Sequence, residues 1–220
     1  MLDAFSVGGK LGKTRVAATC RLRRDSSAIM FSTGLRTALE NRRLRMRIAC
    51  LLDSDFEDSE FRQPYDALRE AGHEVVIIGL EKGKQLPGKK GVEMTRAEAG
   101  VDDVSPDQFD ALLVPGGYSP DHLRATPKMV AFTKAFFDDE RPVFAVCHGP
   151  QLLLTAGVVK GRTMTAWTTV QQDLRYAGAH VKDEEVVVDG NLVTSRKPDD
   201  LEAFCRESIR MLERVPVGAR

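Results

Sequence analysis

From residue 46 onward, short apolar runs alternate with longer amphipathic stretches. Residues 48–52, 74–79, 110–114 and 143–146 are runs of Val, Ile, Leu, Ala and Phe with few polar interruptions. Runs this short, apolar at every position rather than every second one, predict strands buried on both faces. The stretches between them carry helical spacing. Residues 56–70 predict a helix with Pro64 near its first turns and Ala71-Gly72 at its end. Pro127 opens a second helix to residue 139, and residues 150–156 and 168–177 form two more. Residues 163–166 predict a further strand. Residues 185–188 and 191–195 flank Asp189-Gly190, a hairpin turn signal, and residues 198–214 form a closing amphipathic helix. Residues 82–100 are charged and rich in Gly, which predicts a hairpin excursion around Val92-Glu93-Met94. Strands and helices in alternation predict an α/β fold, a doubly wound, mostly parallel sheet sandwiched by helices. The ligand site of such a sheet lies beyond the carboxyl ends of its strands. The loop after residue 52, the Pro115-Gly116-Gly117 turn and the residues after Val146 all stand at such ends.

The first 45 residues break this pattern. They are rich in Arg, Ser, Gly and Thr, lack periodicity, and hold ten Lys/Arg against three Asp/Glu. Their net charge is +7 and that of the remainder −7, so the whole chain is formally neutral. We expect residues 1–45 to be a disordered extension, from a start codon placed upstream of Met46 or from an organelle transit peptide, with the former favoured. Residues 46–215 are then the domain, and the expected location is cytoplasmic, or an organelle if the leader is real. Overall neutrality gives no reason to expect a nucleic-acid or membrane partner, and the apolar runs are too short to span a bilayer. Cys20, Cys50, Cys147 and Cys205 are widely spaced, which argues for a reducing compartment and against a zinc site. Two Gly/Lys-rich stretches, 7–14 and 83–90, approach a phosphate-binding loop. The first has Val where the motif needs Gly, and the second lacks the closing Ser/Thr, so neither is read as a nucleotide site.

The richest chemistry lies in Arg141-Pro-Val-Phe-Ala-Val-Cys-His-Gly-Pro150. A four-residue strand runs into Cys147, His148 and Gly149, and Pro150 opens a helix that Gly157 stops. Lone cysteines are mostly packing residues. Strand, sharp turn and helix with a thiol at the apex, however, form a nucleophile elbow with Cys in place of Ser. A helix N-terminus behind the thiol favours its thiolate. Neighbouring side chains on a turn commonly diverge, so direct contact between Cys147 and His148 is not expected from the spacing.

Ala145-Val-Cys-His-Gly-Pro-Gln151 resembles the nucleophile motif of the PfpI family, in the class I glutamine amidotransferase-like superfamily. Four further stretches agree in order and spacing: Asp55-Phe-Glu-Asp-Ser-Glu60, Asp110-Ala-Leu-Leu-Val-Pro-Gly-Gly117, Ser119-Pro-Asp121 and the segment from Glu185 to Arg196. The resemblance begins near Met46 and implies a flavodoxin-like fold. It implies Cys147 as nucleophile, Glu57 as the acid hydrogen-bonded to the sulfur, and His148 oriented by an acid from a neighbouring subunit. Asp121 matches that acid, one methylene shorter than the usual Glu. Backbone N–H groups of Gly117 and His148 would hold an oxyanion, at the turn that Gly116 helps form. Tyr118 and Trp167 are candidates for the pocket lining, and as aromatics equally for packing or an interface.

The function expected is therefore a cysteine hydrolase that needs no cofactor or metal. The resemblance points to deglycase or glyoxalase-type action on methylglyoxal or glyoxal adducts of proteins, in defence against carbonyl stress. Its partners would be small carbonyl compounds or glycated proteins, and other copies of itself in a dimer or hexamer. An intracellular cysteine peptidase is the alternative among enzymes. A stress chaperone or redox sensor is the alternative outside them. Glutamine amidotransfer is not expected, because no His-x-Glu follows late in the chain.

Overall fold

The computed structural model describes residues 45–214. The expectations for residues 1–45, including the near-miss loop at 7–14, thus fall almost wholly outside the described residues. Seven strands form the main sheet: β1 (Arg47–Leu51), β2 (Glu74–Gly79), β5 (Ala99–Gly100), β6 (Ala111–Val114), β7 (Val143–Val146), β10 (Val186–Asp189) and β11 (Leu192–Ser195). Their order is β10-β11-β7-β6-β1-β2-β5, and every pairing is parallel except the β10–β11 hairpin. The expected doubly wound sheet is present. The order reverses about β1, which pairs with β2 on one side and β6 on the other. A crevice opens at such a reversal.

Alternating residues of each strand build two cores. Ala49, Leu51, Val76, Ile78, Leu112, Val114, Val143 and Ala145 face one side. They pack beneath α2 (Ser119–Arg124), α3 (Pro127–Asp138), α4 (Pro150–Thr155) and α5 (Thr168–Tyr176). Ile48, Cys50, Val75, Ile77, Leu113, Phe144 and Val146 face the other, beneath α1 (Asp58–Glu70) and α6 (Leu201–Arg214). The period of two sends neighbouring side chains to opposite faces, so a sheet covered on both sides needs the unbroken apolar runs that the sequence shows.

The structure departs from expectation in local detail. Helix α1 starts at Asp58 rather than residue 56, because Phe56 is drawn into bridges with Gly88 and Gly117. Residues 119–124, to which the apolar pattern assigned no element, wind into α2. The strand at 163–166 shortens to β8 (Thr163–Met164), whose partner is β9 (His180–Val181). The excursion at 82–100 contains a true hairpin, β3 (Gln85–Pro87) with β4 (Met94–Arg96), followed by edge strand β5.

Candidate active site

Cys147 sits where β7 turns into α4, with φ at 59°, one of three non-glycine residues described at positive φ. Such a conformation costs on the order of 1–2 kcal/mol for a side chain with a Cβ. Two backbone hydrogen bonds hold it: Cys147 N–H donates to Ser195 O at 3.0 Å, and Trp167 N–H donates to Cys147 O at 2.9 Å. The thiol is thus raised beyond the sheet and locked between β11 and the start of α5. It is 7% exposed.

The carboxyl group at the sulfur belongs to Glu60, which corrects the assignment of Glu57. Glu60 lies in the first turn of α1 and is 0% exposed. A Cβ added at Gly116 would stand 2.3 Å from Glu60 Oε2 and 2.7 Å from Cys147 Cβ. The β6 end must therefore be Gly there, because thiol and carboxyl approach it from both sides. Neither Glu60 oxygen has a conventional hydrogen-bond donor, and the Cys147 thiol is the group with which the carboxyl interacts. Glu57, the N-cap of α1, turns the other way. Its carboxylate pairs with Lys90 and, at 3.5 Å, with Lys89, while its backbone N–H donates to Gly116 O at 3.3 Å. The signal for Glu60 was present in the helical phase. It belongs with the buried stripe Phe61, Pro64, Tyr65 and Leu68, where an acid is out of place unless it has a task.

His148 does meet the thiol: Nδ1 is 3.3 Å from Sγ. The divergence expected for neighbours on a turn does not occur, because the positive φ at Cys147 rotates the two side chains together. The ring stacks on Trp167, with centroids 6.2 Å apart and planes 25° apart. The backbone N–H groups of His148 and Gly117 both reach the sulfur. Gly117 takes φ at 77° and packs so tightly on the β1–α1 loop that an added Cβ would lie 2.3 Å from Glu57 N. Tyr118 is exposed, and its ring carries the Lys89 ammonium 5.5 Å from the centroid. Asp121 is not drawn to the sulfur. Its exposed carboxylate pairs with Arg124, one turn along α2, at 2.7 Å.

Burial pushes Glu60 up to about 8, against a smaller opposing pull from the thiol, with the Glu57 charge pushing the same way. A carboxyl group so shifted keeps its proton at neutral pH and can donate to the sulfur. Burial also pushes the Cys147 thiol up, as does Glu60 when charged, while the N–H groups of His148 and Gly117 pull it down. The expected lowering by a helix N-terminus does not dominate, since α4 has only six residues and burial outweighs it. Thiol and carboxyl therefore titrate as a pair. His148 is lowered by burial and by the Lys89 charge, so its imidazole is neutral and able to take a proton.

Residues 46–211 match the DJ-1/PfpI family. The chain belongs to that family. It is 53% identical over 169 residues to "General stress protein 18" of Bacillus subtilis (strain 168), covering 76% of this chain and 98% of that one. It is 52% identical over 167 residues to "Protein/nucleic acid deglycase 2" of Escherichia coli (strain K12), covering 76% and 97%. It is 50% identical over 167 residues to "Putative cysteine protease YraA" of Bacillus subtilis (strain 168), covering 76% and 98%. Among solved structures it resembles a two-domain protein of Anabaena variabilis that contains DJ-1/ThiJ/PfpI-like and ferritin-like domains. There the TM-score is 0.75 and the identity 37%, over 77% of this chain and about half (48%) of that one.

Proposed function

We propose that this protein is a cofactor-independent cysteine hydrolase acting on methylglyoxal or glyoxal adducts of proteins and on the free dicarbonyls. The observation that carries this reading is the buried trio of Glu60, Cys147 and His148. A thiolate there has a proton donor on one side and a neutral imidazole, 3.3 Å away, on the other. Protonated Glu60 stabilises the thiolate, which adds to the aldehyde carbon of methylglyoxal. Glu60 gives its proton to the new oxyanion, held near the N–H groups of Gly117 and His148, and a hemithioacetal results. Glu60, now ionised, moves a proton from the sulfur-bearing carbon to the adjacent carbonyl carbon through an enediol. The result is a lactoyl thioester. Water activated by His148 cleaves it to lactate and restores the thiol. The relatives named as a deglycase and as a cysteine protease both fit thiol chemistry of this kind.

Asp121 enters the proposal through a second copy of the chain. Its exposed position on α2 suits it to orient the His148 imidazole of a neighbouring subunit in a dimer or hexamer, as an acid does in a triad. The decisive experiment compares wild type with Cys147→Ala for lactate formed from methylglyoxal and for amine recovered from a methylglyoxal-treated peptide. Both should vanish in the variant. Turnover that survives in Cys147→Ala, or holdase activity without any turnover in wild type, defeats the reading.

A further inference from the structure

The loop between β3 and β4 has no part in the trio, yet it is fastened to the site more firmly than its sequence suggested. Asp58 in α1 accepts hydrogen bonds from the backbone N–H of Lys90 at 2.9 Å, Val92 at 3.0 Å and Glu93 at 2.7 Å. Those N–H groups hold the Asp58 carboxyl below its ordinary range although burial opposes them. Arg62 grips Glu93 at 2.8 Å, and Lys89 N–H donates to Phe56 O at 2.8 Å. A loop clamped by these five contacts delivers two lysines to Glu57, at the N-cap of α1. The two are not equivalent. Lys90 is engaged by Glu57 through a close ion pair. Lys89 only leans on Glu57, at 3.5 Å, rests over the exposed Tyr118 ring, and keeps 43% of its side chain in solvent. Its charge acts on Glu60 and on His148, the two ionisable groups that flank the sulfur, whereas that of Lys90 is felt at Glu60.

We infer that Lys89 is an anion-binding subsite beside Cys147, which selects small electrophiles carrying a carboxylate next to the reacting carbon. Lys89 and Lys90 share the one Glu57 carboxylate, and Glu60 and His148 are neutral near pH 7, so the group carries one positive charge in excess, with Lys89 the more loosely paired of the two. An incoming carboxylate exchanges a loose contact with Glu57 for a direct ion pair at no cost in loop ordering, because Asp58 and Arg62 have already fixed the backbone. An α-oxo acid such as glyoxylate fits this class. A neutral dicarbonyl gains nothing from it.

The test needs no turnover and so stands apart from the proposed reaction. Iodoacetate and iodoacetamide differ in charge and share a mechanism, and both require the same thiolate. The ratio of their rates at Cys147 therefore cancels any change in thiol pKa and reads the local field. Rates are measured at neutral pH and low salt by peptide mapping of Cys147, with thermal melts to confirm folding. In wild type the ratio should exceed that at Cys205. Lys89→Met should lower it on the order of fivefold, and Lys89→Arg should keep it. Raising salt to about 0.5 M should compress the wild-type ratio toward that of Lys89→Met. A ratio that Lys89→Met leaves unchanged, a ratio that Lys89→Arg fails to keep, or no alkylation of Cys147 by either reagent overturns the inference. Charge discrimination without methylglyoxal turnover would leave the subsite standing and the proposed reaction wrong.

Discussion

Two cysteines stand on strands separated by one neighbour in the same sheet, and they have opposite characters. Cys50 lies inside β1, wholly buried, paired in register with Ile77 and Leu113. Cys147 lies one residue past the end of β7. Both are pushed up by burial, and both have an acid nearby, Glu98 for Cys50 and Glu60 for Cys147, that pushes them up further when charged. Burial beside an acid is thus not what makes a nucleophile. At Cys147 the backbone turns to positive φ, two N–H groups reach the sulfur, an imidazole lies 3.3 Å away, and the acid itself holds a proton to give. Cys50 has regular strand backbone around it, so its thiol has hydrocarbon for company and is a packing residue.

The sharpest way to break this contrast is substitution of each thiol. Cys147→Ala should lower methylglyoxal turnover by at least about a thousandfold with the melting temperature nearly unchanged. Cys50→Ala should leave the rate within about twofold while costing ~1–2 kcal/mol of stability through the cavity it opens. Equal losses of rate would erase the distinction.

The two acids of α1 provide the next largest effect. Glu60→Gln should lower the rate on the order of a hundredfold, because the amide cannot exchange a proton with sulfur or substrate. Glu57→Gln, whose partners are Lys89 and Lys90, should cost less than about tenfold. A reversed order, measured as kcat/KM on one substrate, would restore Glu57 to the role expected of it from sequence.

Glu60 should also leave a signature in stability against pH. Its folded value, near 8, lies above its ordinary 4.5, so the folded state holds a proton that the unfolded state releases. That contribution is fully present below about pH 4.5 and is lost as pH rises toward 8. Glu60→Gln removes the dependence, so denaturant melts should show the variant gaining on wild type between those limits. The gain should be a few kcal/mol at most, at about 1.4 kcal/mol per unit. A difference that stays flat with pH would mean the carboxyl is ionised throughout.

Smaller effects sharpen the picture. Iodoacetamide at neutral pH should label Cys147 first, Cys205 roughly tenfold more slowly although it is more exposed, and Cys50 only on unfolding, because N–H donors and His148 stand at the Cys147 sulfur. Burial pushes Cys205 up to about 11. Asp121→Asn should lower the rate by tenfold or less. It should barely alter stability, since the exposed pair with Arg124 is worth under ~1 kcal/mol. Light scattering and activity on one dilution series would show whether the loss tracks assembly, and a monomer at full rate would return Asp121 to a surface role.

Read alone, the chain determined the order of strands and helices from residue 46, the two-sided burial of the sheet, and the elbow that lifts Cys147. These follow from local patterns: unbroken apolar runs, Pro and Gly at helix ends, and a thiol at a strand-to-turn boundary. The pairing of Gly116-Gly117 with that elbow was legible because both stand at carboxyl ends of adjacent parallel strands. Helical phase places Glu60 on the buried stripe of α1, but only tertiary structure brought that stripe, and not Glu57, to the sulfur. Three residues along a helix turn a side chain by about 300°, so the choice rests on where α1 begins and how it is rotated on the sheet. Phe56 set that start by bridging to Gly88 and Gly117, contacts of 32 and 61 residues' separation. The same long-range contacts brought Lys89 to the site from a stretch that reads as a charged loop. Local propensity carries no information about which distant carboxylate will fasten a loop. Asp58 did so here, and the position of one cation beside the sulfur follows from it.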